Sequence, residues 1–137
     1  MKAYYHKVQY YETDRTGITH HTNYLRWMEE ARSDFCSQIG FSFVKLEEMG
    51  VISPVLSLSC QYLRATTFED EVFVSVSVSQ YTGVKLHLSY VMTDTVGYAV
   101  CEAESEQTFL NREGRPIRLE REYPDLYAAL MGNRHPA

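Results

Sequence analysis

Several features that would assign a function at once are missing from this sequence of 137 residues. No apolar run approaches the roughly 18 residues of a membrane-spanning helix, and the opening segment MKAYYHKVQYYE lacks the apolar stretch of a signal peptide. The three cysteines form no CxxC pair, so we expect reduced thiols and a cytoplasmic protein. The net charge of -5 argues against binding to nucleic acid or to anionic lipid.

Familiar catalytic and cofactor motifs are missing as well. The sequence has no GxSxG segment to present a serine nucleophile. It has no GxGxxG segment or phosphate-binding loop for a nucleotide. His20 and His21 are adjacent, so their side chains are expected to point in different directions, and no HxxxH pair is present to bind a metal ion. We therefore predict neither a metal site nor a bound cofactor.

The sequence does contain a clear change of period near its start. Residues 3–10 read as a first strand, rich in tyrosine. A long helix follows, with apolar residues at helical spacing at Tyr24, Leu25, Trp27, Met28, Ala31, Phe35 and Ile39. Thr22 or Asn23 can cap its start, and Gly40 can adopt the left-handed conformation that ends a helix.

The remainder of the chain reads as short elements with no repeat or linker, which predicts a single domain over residues 1–137. A second helix is predicted at 43–49, between Ser42 as its cap and Gly50 as its end. A last helix is predicted to begin near Pro124. Four stretches with a period of two are typical of strands, at 51–63, 71–80, 84–94 and 98–110.

These elements predict an α+β fold with a five-stranded antiparallel sheet. In the last strand Glu102 and Glu104 share one face while Cys101 and Ala103 share the other, as expected for a sheet covered on one side. The single long helix can cover only one face, so we expect it to pack into the concave side of the sheet. The sheet edges then need protection, and dimerisation through an edge strand is a natural solution.

The connection between the first strand and the long helix, ETDRTGITHHTNY, contains the most informative carboxylate. Asp14 stands only a few residues before a helix start, where unpaired backbone N–H groups and the helix dipole favour negative charge. A carboxylate beside such donors supplies two of the parts that acyl transfer needs. An aspartate next to a turn glycine also serves as an ordinary turn former or cap, so both interpretations stand at this point.

The segment from Val8 to Phe35 resembles the 4-hydroxybenzoyl-CoA thioesterase-like family of hot-dog-fold acyl-CoA thioesterases. The matching residues are Glu12, Asp14, Gly17, Ile18, His20, His21, Tyr24 and the run Glu29, Glu30, Ala31, Arg32. The later strands and the segment GRPIRL at 114–119 agree with the same layout. The resemblance implies a hot-dog fold, in which a five-stranded antiparallel sheet wraps a long central helix.

The resemblance also implies roles for individual residues. Asp14 would be the catalytic carboxylate, acting either as a nucleophile that forms a mixed anhydride or as a general base on water. The backbone N–H of His21 would polarise the thioester carbonyl, and its imidazole would help to orient water or substrate. Gly17 would allow the loop to approach the substrate closely, and His20 would shape the acyl pocket.

An acyl-CoA substrate is implied in the same way, with CoA as part of the substrate. The resemblance implies homodimers, often paired into tetramers, with active sites between subunits. The acyl pocket would be formed with a neighbouring subunit by Tyr24, Trp27 and Met28. Candidates to hold the CoA phosphates are the basic residues Arg64, Lys85, Arg112 and Arg115.

Two other functions are compatible with a hot-dog fold. A hydratase or dehydratase acting on acyl thioesters usually pairs a histidine with a separate acidic residue, a motif that this sequence lacks. A non-catalytic acyl-binding module has no need of a carboxylate such as Asp14 beside the carbonyl. The sequence leaves open whether the acyl group is aliphatic or aromatic, and whether CoA or an acyl-carrier protein carries it.

Overall fold

The five predicted strands form one antiparallel sheet in the order β1-β3-β4-β5-β2. The structure is a computed structural model that describes residues 1–134. The strands are β1 (Tyr4–Lys7), β2 (Val55–Tyr62), β3 (Glu71–Tyr81), β4 (Lys85–Thr93) and β5 (Ala99–Thr108). The helices are α1 (Thr22–Gln38), α2 (Phe43–Met49), α3 (Leu119–Glu122) and α4 (Pro124–Met131).

Helix α1 packs against the sheet through β1 and β3, and one face of the helix is buried. Its buried residues recur every three or four positions, at Tyr24, Trp27, Met28, Ala31, Arg32 and Phe35. This spacing is the stripe that an amphipathic helix presents to a core. The predicted α+β fold, a long central helix wrapped by a five-stranded antiparallel sheet, is confirmed. None of the helices in residues 1–134 is long and apolar enough to cross a bilayer.

The start of α1 differs from the prediction. The helix begins at Thr22, and His21 occupies the N-cap position, so neither Thr22 nor Asn23 is the cap. The His21 side chain makes no capping hydrogen bond. Because His21 lacks the short side-chain oxygen typical of a cap, the sequence held no local signal for this start.

Strand β1 is shorter than predicted, because the chain leaves the sheet after Lys7 and enters a short 3-10 helix, Tyr10–Glu12. The carboxylate of Glu12 accepts a 2.8 Å hydrogen bond from the Gln9 amide, which is then unavailable to pair with a neighbouring strand. The predicted strand over 3–10 is therefore wrong beyond Lys7. The bend brings Glu12 back against the body of the protein, where it is 5% exposed.

Strand β2 lies at one edge of the sheet and carries an unusually apolar surface. It begins at Val55, later than predicted, because Ile52 instead forms an isolated bridge with Leu110. Five large apolar residues on and beside this strand are between 36% and 49% exposed, namely Val55, Leu56, Leu58, Tyr62 and Leu63. An edge strand of this kind presents both unpaired backbone groups and apolar side chains.

Candidate active site

Asp14 lies in a tight turn between β1 and α1. The turn is closed by a bridge between Thr13 and Thr19 and by a 2.8 Å hydrogen bond from the Asp14 amide to the carbonyl of Ile18. The Gly17 amide donates to the Asp14 carbonyl at 3.0 Å, and Gly17 has φ +86°. Residues other than glycine rarely adopt this conformation, so Gly17 determines the shape of the turn.

The Asp14 carboxylate is exposed and held through one oxygen. Oδ1 accepts hydrogen bonds from the Thr16 hydroxyl at 2.6 Å and from the Thr16 amide at 2.8 Å. These two bonds hold the pKa of Asp14 below its ordinary value, and the nearby His20 adds a smaller electrostatic contribution in the same direction. The carboxylate is therefore ionised at neutral pH and can act as a base or a nucleophile.

The backbone N–H of His21 is an unpaired donor at the start of α1. His21 has helical backbone angles, φ -55° and ψ -28°, and no acceptor for its N–H is present among residues 1–134. The next two amides are engaged, because those of Thr22 and Asn23 donate to the Nδ1 atom and the carbonyl of His20. The His21 amide therefore adds a free donor to the positive end of the helix dipole.

The expectation that His20 and His21 point in different directions is wrong, because their rings stack on one another with 4.5 Å between the centroids. His20 Nδ1 is 2.9 Å from the Thr22 hydroxyl, which fixes the ring beside the helix start. The ring of His21 makes an edge contact with Tyr62 at 6.2 Å. Both imidazoles therefore lie together beside the start of α1.

Glu12 is a buried carboxylate, which was identified in the sequence only as one of the residues that match the family pattern. Three groups donate to it at 2.8 Å, namely the His6 ring, the Gln9 amide and the indole of Trp27. Burial alone would raise the pKa of Glu12, but these hydrogen bonds outweigh burial and keep its pKa below the ordinary value. Because the side chain is almost fully buried and accepts from three different parts of the chain, it holds β1, the 3-10 helix and α1 together.

The backbone around Glu12 connects the Asp14 turn to α1. The Glu12 carbonyl accepts from the His20 amide at 2.8 Å and from the Asn23 side chain at 2.9 Å. On the other side, the segment between β2 and β3 braces the turn, because the Thr67 hydroxyl donates to the Gly17 carbonyl at 2.8 Å. Sequence reasoning missed these bracing contacts, since they join positions far apart in the chain.

The residues predicted to line the acyl pocket lie in the core of the single chain. Tyr24, Trp27 and Met28 are 3%, 0% and 2% exposed. The Tyr24 hydroxyl is 2.9 Å from the hydroxyl of Thr66, and Cys60 donates a 3.4 Å hydrogen bond to the sulfur of Met28. Within one chain these side chains anchor α1 in the core. Their contact with an acyl group stays a prediction.

The basic residues predicted to hold CoA phosphates are spread over the surface. Arg64 stacks on the ring of Tyr98 at 4.0 Å, and Lys85 lies 3.5 Å from Glu106. The Arg64 amide bonds to Val100 at one end of β5, whereas Lys85 pairs with Thr108 at the other. Eight residues of strand separate these positions by about 26 Å. Within one chain, therefore, Arg64 and Lys85 do not belong to one phosphate site.

The cysteines of this chain are partly or fully buried. Burial raises the pKa of Cys36 to about 11, and burial together with Cys60 raises the pKa of Cys101 to about 12. These thiols are therefore protonated and poorly nucleophilic at neutral pH. Across residues 1–134, no group of three histidine, cysteine, aspartate or glutamate side chains is arranged to hold a metal ion.

Comparison with known proteins decides the family. Residues 8–130 match a family model described as the thioesterase-like superfamily. This chain belongs to the thioesterase-like superfamily. A putative acyl-CoA thioesterase of Bacillus subtilis, YneP, is 31% identical to it over 90% of each chain. A putative esterase of Aquifex aeolicus is 30% identical over 87% of this chain and 91% of its own.

A solved structure leads to the same superfamily. The DHNA-CoA thioesterase from Staphylococcus aureus is 30% identical, with a TM-score of 0.88 over 96% of this chain and 89% of its own. The prediction of a thioesterase with a hot-dog fold is therefore confirmed at the level of the superfamily. The narrower resemblance to 4-hydroxybenzoyl-CoA thioesterases stays a prediction.

Proposed function

We propose that this protein hydrolyses the thioester bond of an acyl-CoA, releasing a free acid and CoA. The observation that carries the proposal is the presence of two groups in the segment that leads into α1. Asp14 is an exposed, ionised carboxylate held through one oxygen, and seven residues later the His21 amide is an unpaired donor. Membership of the thioesterase-like superfamily supports hydrolysis of a thioester by this pair.

In the proposed reaction the thioester carbonyl oxygen accepts a hydrogen bond from the His21 N–H. The negative charge that develops on this oxygen is stabilised by the amide and by the N-terminal end of the α1 dipole. In one route Asp14 attacks the carbonyl carbon and expels the thiolate, and water then hydrolyses the resulting mixed anhydride to release the acid and regenerate Asp14. In the other route Asp14 removes a proton from a water molecule that attacks the carbonyl carbon, and the thiolate is expelled as the acid forms. A thiolate leaves more easily than an amine, so a carboxylate and an oxyanion donor suffice without a full triad.

The proposed enzyme is a homodimer formed through β2. The exposed apolar residues of this edge strand support the proposal, because a second copy of the strand would cover them and pair the open backbone. The Tyr62 hydroxyl on β2 donates a 3.4 Å hydrogen bond to the His21 carbonyl, so such an interface would adjoin the catalytic corner. The partner would then complete the acyl pocket that one chain lacks.

A panel of thioesters tests the proposed activity directly. Acetyl-CoA, hexanoyl-CoA, benzoyl-CoA and an aromatic naphthoyl-CoA, with one acyl-carrier-protein thioester, would be incubated with the purified protein. A thiol-reactive dye would detect the released thiol. We expect rapid thiol release from at least one substrate. Hydration of crotonyl-CoA without thiol release would instead favour the hydratase, and binding without either reaction would favour an acyl-binding module.

A further inference from the structure

Arg32, on the buried face of α1, has a guanidinium group that is almost unused. The residue is 9% exposed. Its Nη2 donates to Glu29 Oε1 at 2.8 Å, and its Cζ lies 4.9 Å from the centre of the Phe43 ring. Its Nε is fully buried and has no hydrogen-bond partner within residues 1–134. A guanidinium carries five N–H donors, and Arg32 has one hydrogen-bond acceptor among the described residues. Most of its donors therefore lack a protein partner.

Arg32 lines a cavity of about 430 Å³ that opens between α1, α2 and the segment before β2. This volume lies within the range of roughly 300–1,000 Å³ found for small-molecule sites. The other lining residues are Phe43, Leu46, Glu47, Gly50, Val51, Ile52, Ser53 and Arg112. The cavity therefore combines apolar walls with two arginines.

Arg112 reaches this cavity by crossing the glycine that ends α2. Its Nη2 donates a 3.3 Å hydrogen bond to the carbonyl of Glu48. A Cβ atom at Gly50 would lie 3.1 Å from Arg112 Nε and 3.2 Å from Cζ, closer than side chains normally pack. Glycine at this position thus lets the second guanidinium lie against the cavity, where the only lining carboxylate among the described residues is Glu47.

The cavity is separate from the Asp14 turn within one chain. Arg32 follows His21 by eleven residues along α1, which corresponds to about 16 Å of helix. Neither Asp14, Gly17, His20 nor His21 lines the cavity. Within one chain, the two arginines are therefore not part of the Asp14 and His21 pair proposed to cleave the thioester.

We propose that this cavity binds an organic carboxylate with an apolar body. The carboxylate accepts hydrogen bonds from the guanidinium groups of Arg32 and Arg112, and the body packs on Phe43, Val51 and Ile52. A planar guanidinium matches the two oxygens of a carboxylate, and its bonds to an ionised acceptor are about twice as strong as neutral ones. An acid released by thioester hydrolysis belongs to this ligand class, although the binding site does not depend on that activity.

Titration with phenylacetate, phenylacetamide, acetate and inorganic phosphate tests the proposed ligand class. Isothermal titration calorimetry would give the affinities, and two-dimensional NMR would follow the side-chain Nε–H signal of Arg32. We expect saturable binding of phenylacetate with a shift of that signal. The uncharged amide and the headgroup-only acetate should bind at least tenfold more weakly. Phosphate or phenylacetamide binding as tightly as phenylacetate, or no saturable binding of phenylacetate, would overturn the proposal.

Variants locate the binding to the two arginines. Arg32→Met retains the length of the side chain, and its partner Glu29 is half exposed and can be rehydrated. We expect Arg32→Met to lose phenylacetate binding and the exposed Arg112→Gln, which does not disturb the core, to weaken it at least fivefold. The matched control is Arg121→Met, an exposed arginine on α3, which should bind as wild type does. Unchanged binding by folded Arg32→Met and by Arg112→Gln would refute the assignment.

The carboxylate could arrive as a free acid or as the distal end of an acyl thioester, and kinetics distinguish these sources. Hydrolysis of glutaryl-CoA and of hexanoyl-CoA, whose acyl chain carries no charge, would be compared in wild type and Arg32→Met. A lower kcat/KM for glutaryl-CoA alone supports the site with a thioester as its source. Unchanged rates for both substrates, with weaker phenylacetate binding, support the site with a free acid. An equal loss for both substrates with unchanged phenylacetate binding would contradict the proposal.

Discussion

The chain contains the same turn twice, as TDRTG at residues 13–17 and TDTVG at residues 93–97. In both, the aspartate amide donates to the carbonyl four residues later, at 2.8 Å in the first turn and 3.0 Å in the second. In both, the glycine amide donates to the aspartate carbonyl, and the glycine has a positive φ, +86° and +103°. The pKa of Asp14 and that of Asp94 are both lowered.

The two turns differ in what surrounds them. Oδ1 of Asp94 accepts three backbone amides at 2.9 Å, and its turn only joins β4 to β5. Oδ1 of Asp14 accepts from Thr16 alone, and its turn leads to the unpaired amide of His21. The local motif therefore accounts for an ionised aspartate at both places. Only the neighbouring helix start makes one of them a candidate for catalysis.

The largest effect among variants that leave Asp14 in place is expected when the His21 N–H is removed. His21→Pro deletes the donor, and proline fits because His21 already has φ -55°. We expect kcat to fall by about 100-fold or more, the usual cost of losing one oxyanion donor. His21→Ala keeps the amide and should retain activity within about tenfold. Equal activities of the two variants in the thiol-release assay would show that the N–H is not the oxyanion donor.

Glu12→Gln should affect stability more than any change within the turns. The amide offers one acceptor oxygen where the carboxylate offers two, so one of the buried donors from His6, Gln9 or Trp27 loses its partner. We expect a loss of about 1–3 kcal/mol in the free energy of unfolding at pH 7, measured by urea denaturation. The exposed control Glu104→Gln should change it by less than about 0.5 kcal/mol. Similar losses in both variants would contradict the positioning role.

The free energy of unfolding should depend on pH differently in wild type and in Glu12→Gln. Because the pKa of folded Glu12 lies below its ordinary value of 4.5, the unfolded chain takes up a proton first as the pH falls. The stabilisation by Glu12 is therefore complete above that pH and is lost as the pH falls through the lower folded pKa. Wild-type stability should thus fall more steeply than that of Glu12→Gln below pH 4.5. Parallel pH curves would show that Glu12 does not contribute.

Alanine substitution at the two turn glycines should distinguish a loss of stability, caused by backbone strain, from a loss of hydrolysis. A Cβ atom at either Gly17 or Gly97 would meet nothing within 4 Å, so the cost is the positive φ alone, about 1 kcal/mol. We expect similar losses of stability in Gly17→Ala and Gly97→Ala. Hydrolysis should fall by about tenfold only in Gly17→Ala, since only that turn places Asp14. Equal activities in the thiol-release assay would count against the proposed role of the turn.

The smallest effect is expected at Thr16. Thr16→Val removes the hydroxyl that donates to Asp14 and leaves the Thr16 amide in place. Since this hydroxyl stabilises the ionised form, the pKa of Asp14 should rise and the acid limb of the pH–rate profile should move to higher pH. The rate at pH 7 should hardly change. Thr16→Ser keeps the hydroxyl and should follow wild type. If the acid limb of Thr16→Val did not move, the limb would not report the ionisation of Asp14.

The sequence predicted best where the structural signal is local. Helix α2 runs from Phe43 to Met49 as predicted, because the Ser42 hydroxyl accepts the Lys45 amide at 3.2 Å and Gly50 has φ +78°. The long helix was less well bounded, since a histidine without a capping bond occupies its N-cap. The helix α3 was not predicted at all, and it spans only a single turn.

The candidate site was predictable in part for the same reason. The turn formed by Asp14 and Gly17 has its hydrogen bonds within five residues, so local spacing predicted the turn, whereas the catalytic role of Asp14 came from the family resemblance and stays a prediction. The burial of Glu12 depends on Trp27, fifteen positions away, and no local pattern encodes it. Nor could spacing reveal that Arg32 lines a cavity, because helical period places it on the buried face without showing what opposes it.

The most direct measurement compares Asp14→Asn with Asp94→Asn in the thiol-release assay, using the best acyl-CoA substrate of the wild type. Both substitutions remove one turn carboxylate of lowered pKa and keep the shape of the side chain. We predict that kcat/KM falls at least 100-fold in Asp14→Asn, as expected when a catalytic base or nucleophile is removed, and stays within about threefold of wild type in Asp94→Asn. Near-normal hydrolysis by Asp14→Asn would contradict the assignment of Asp14 as the reactive carboxylate.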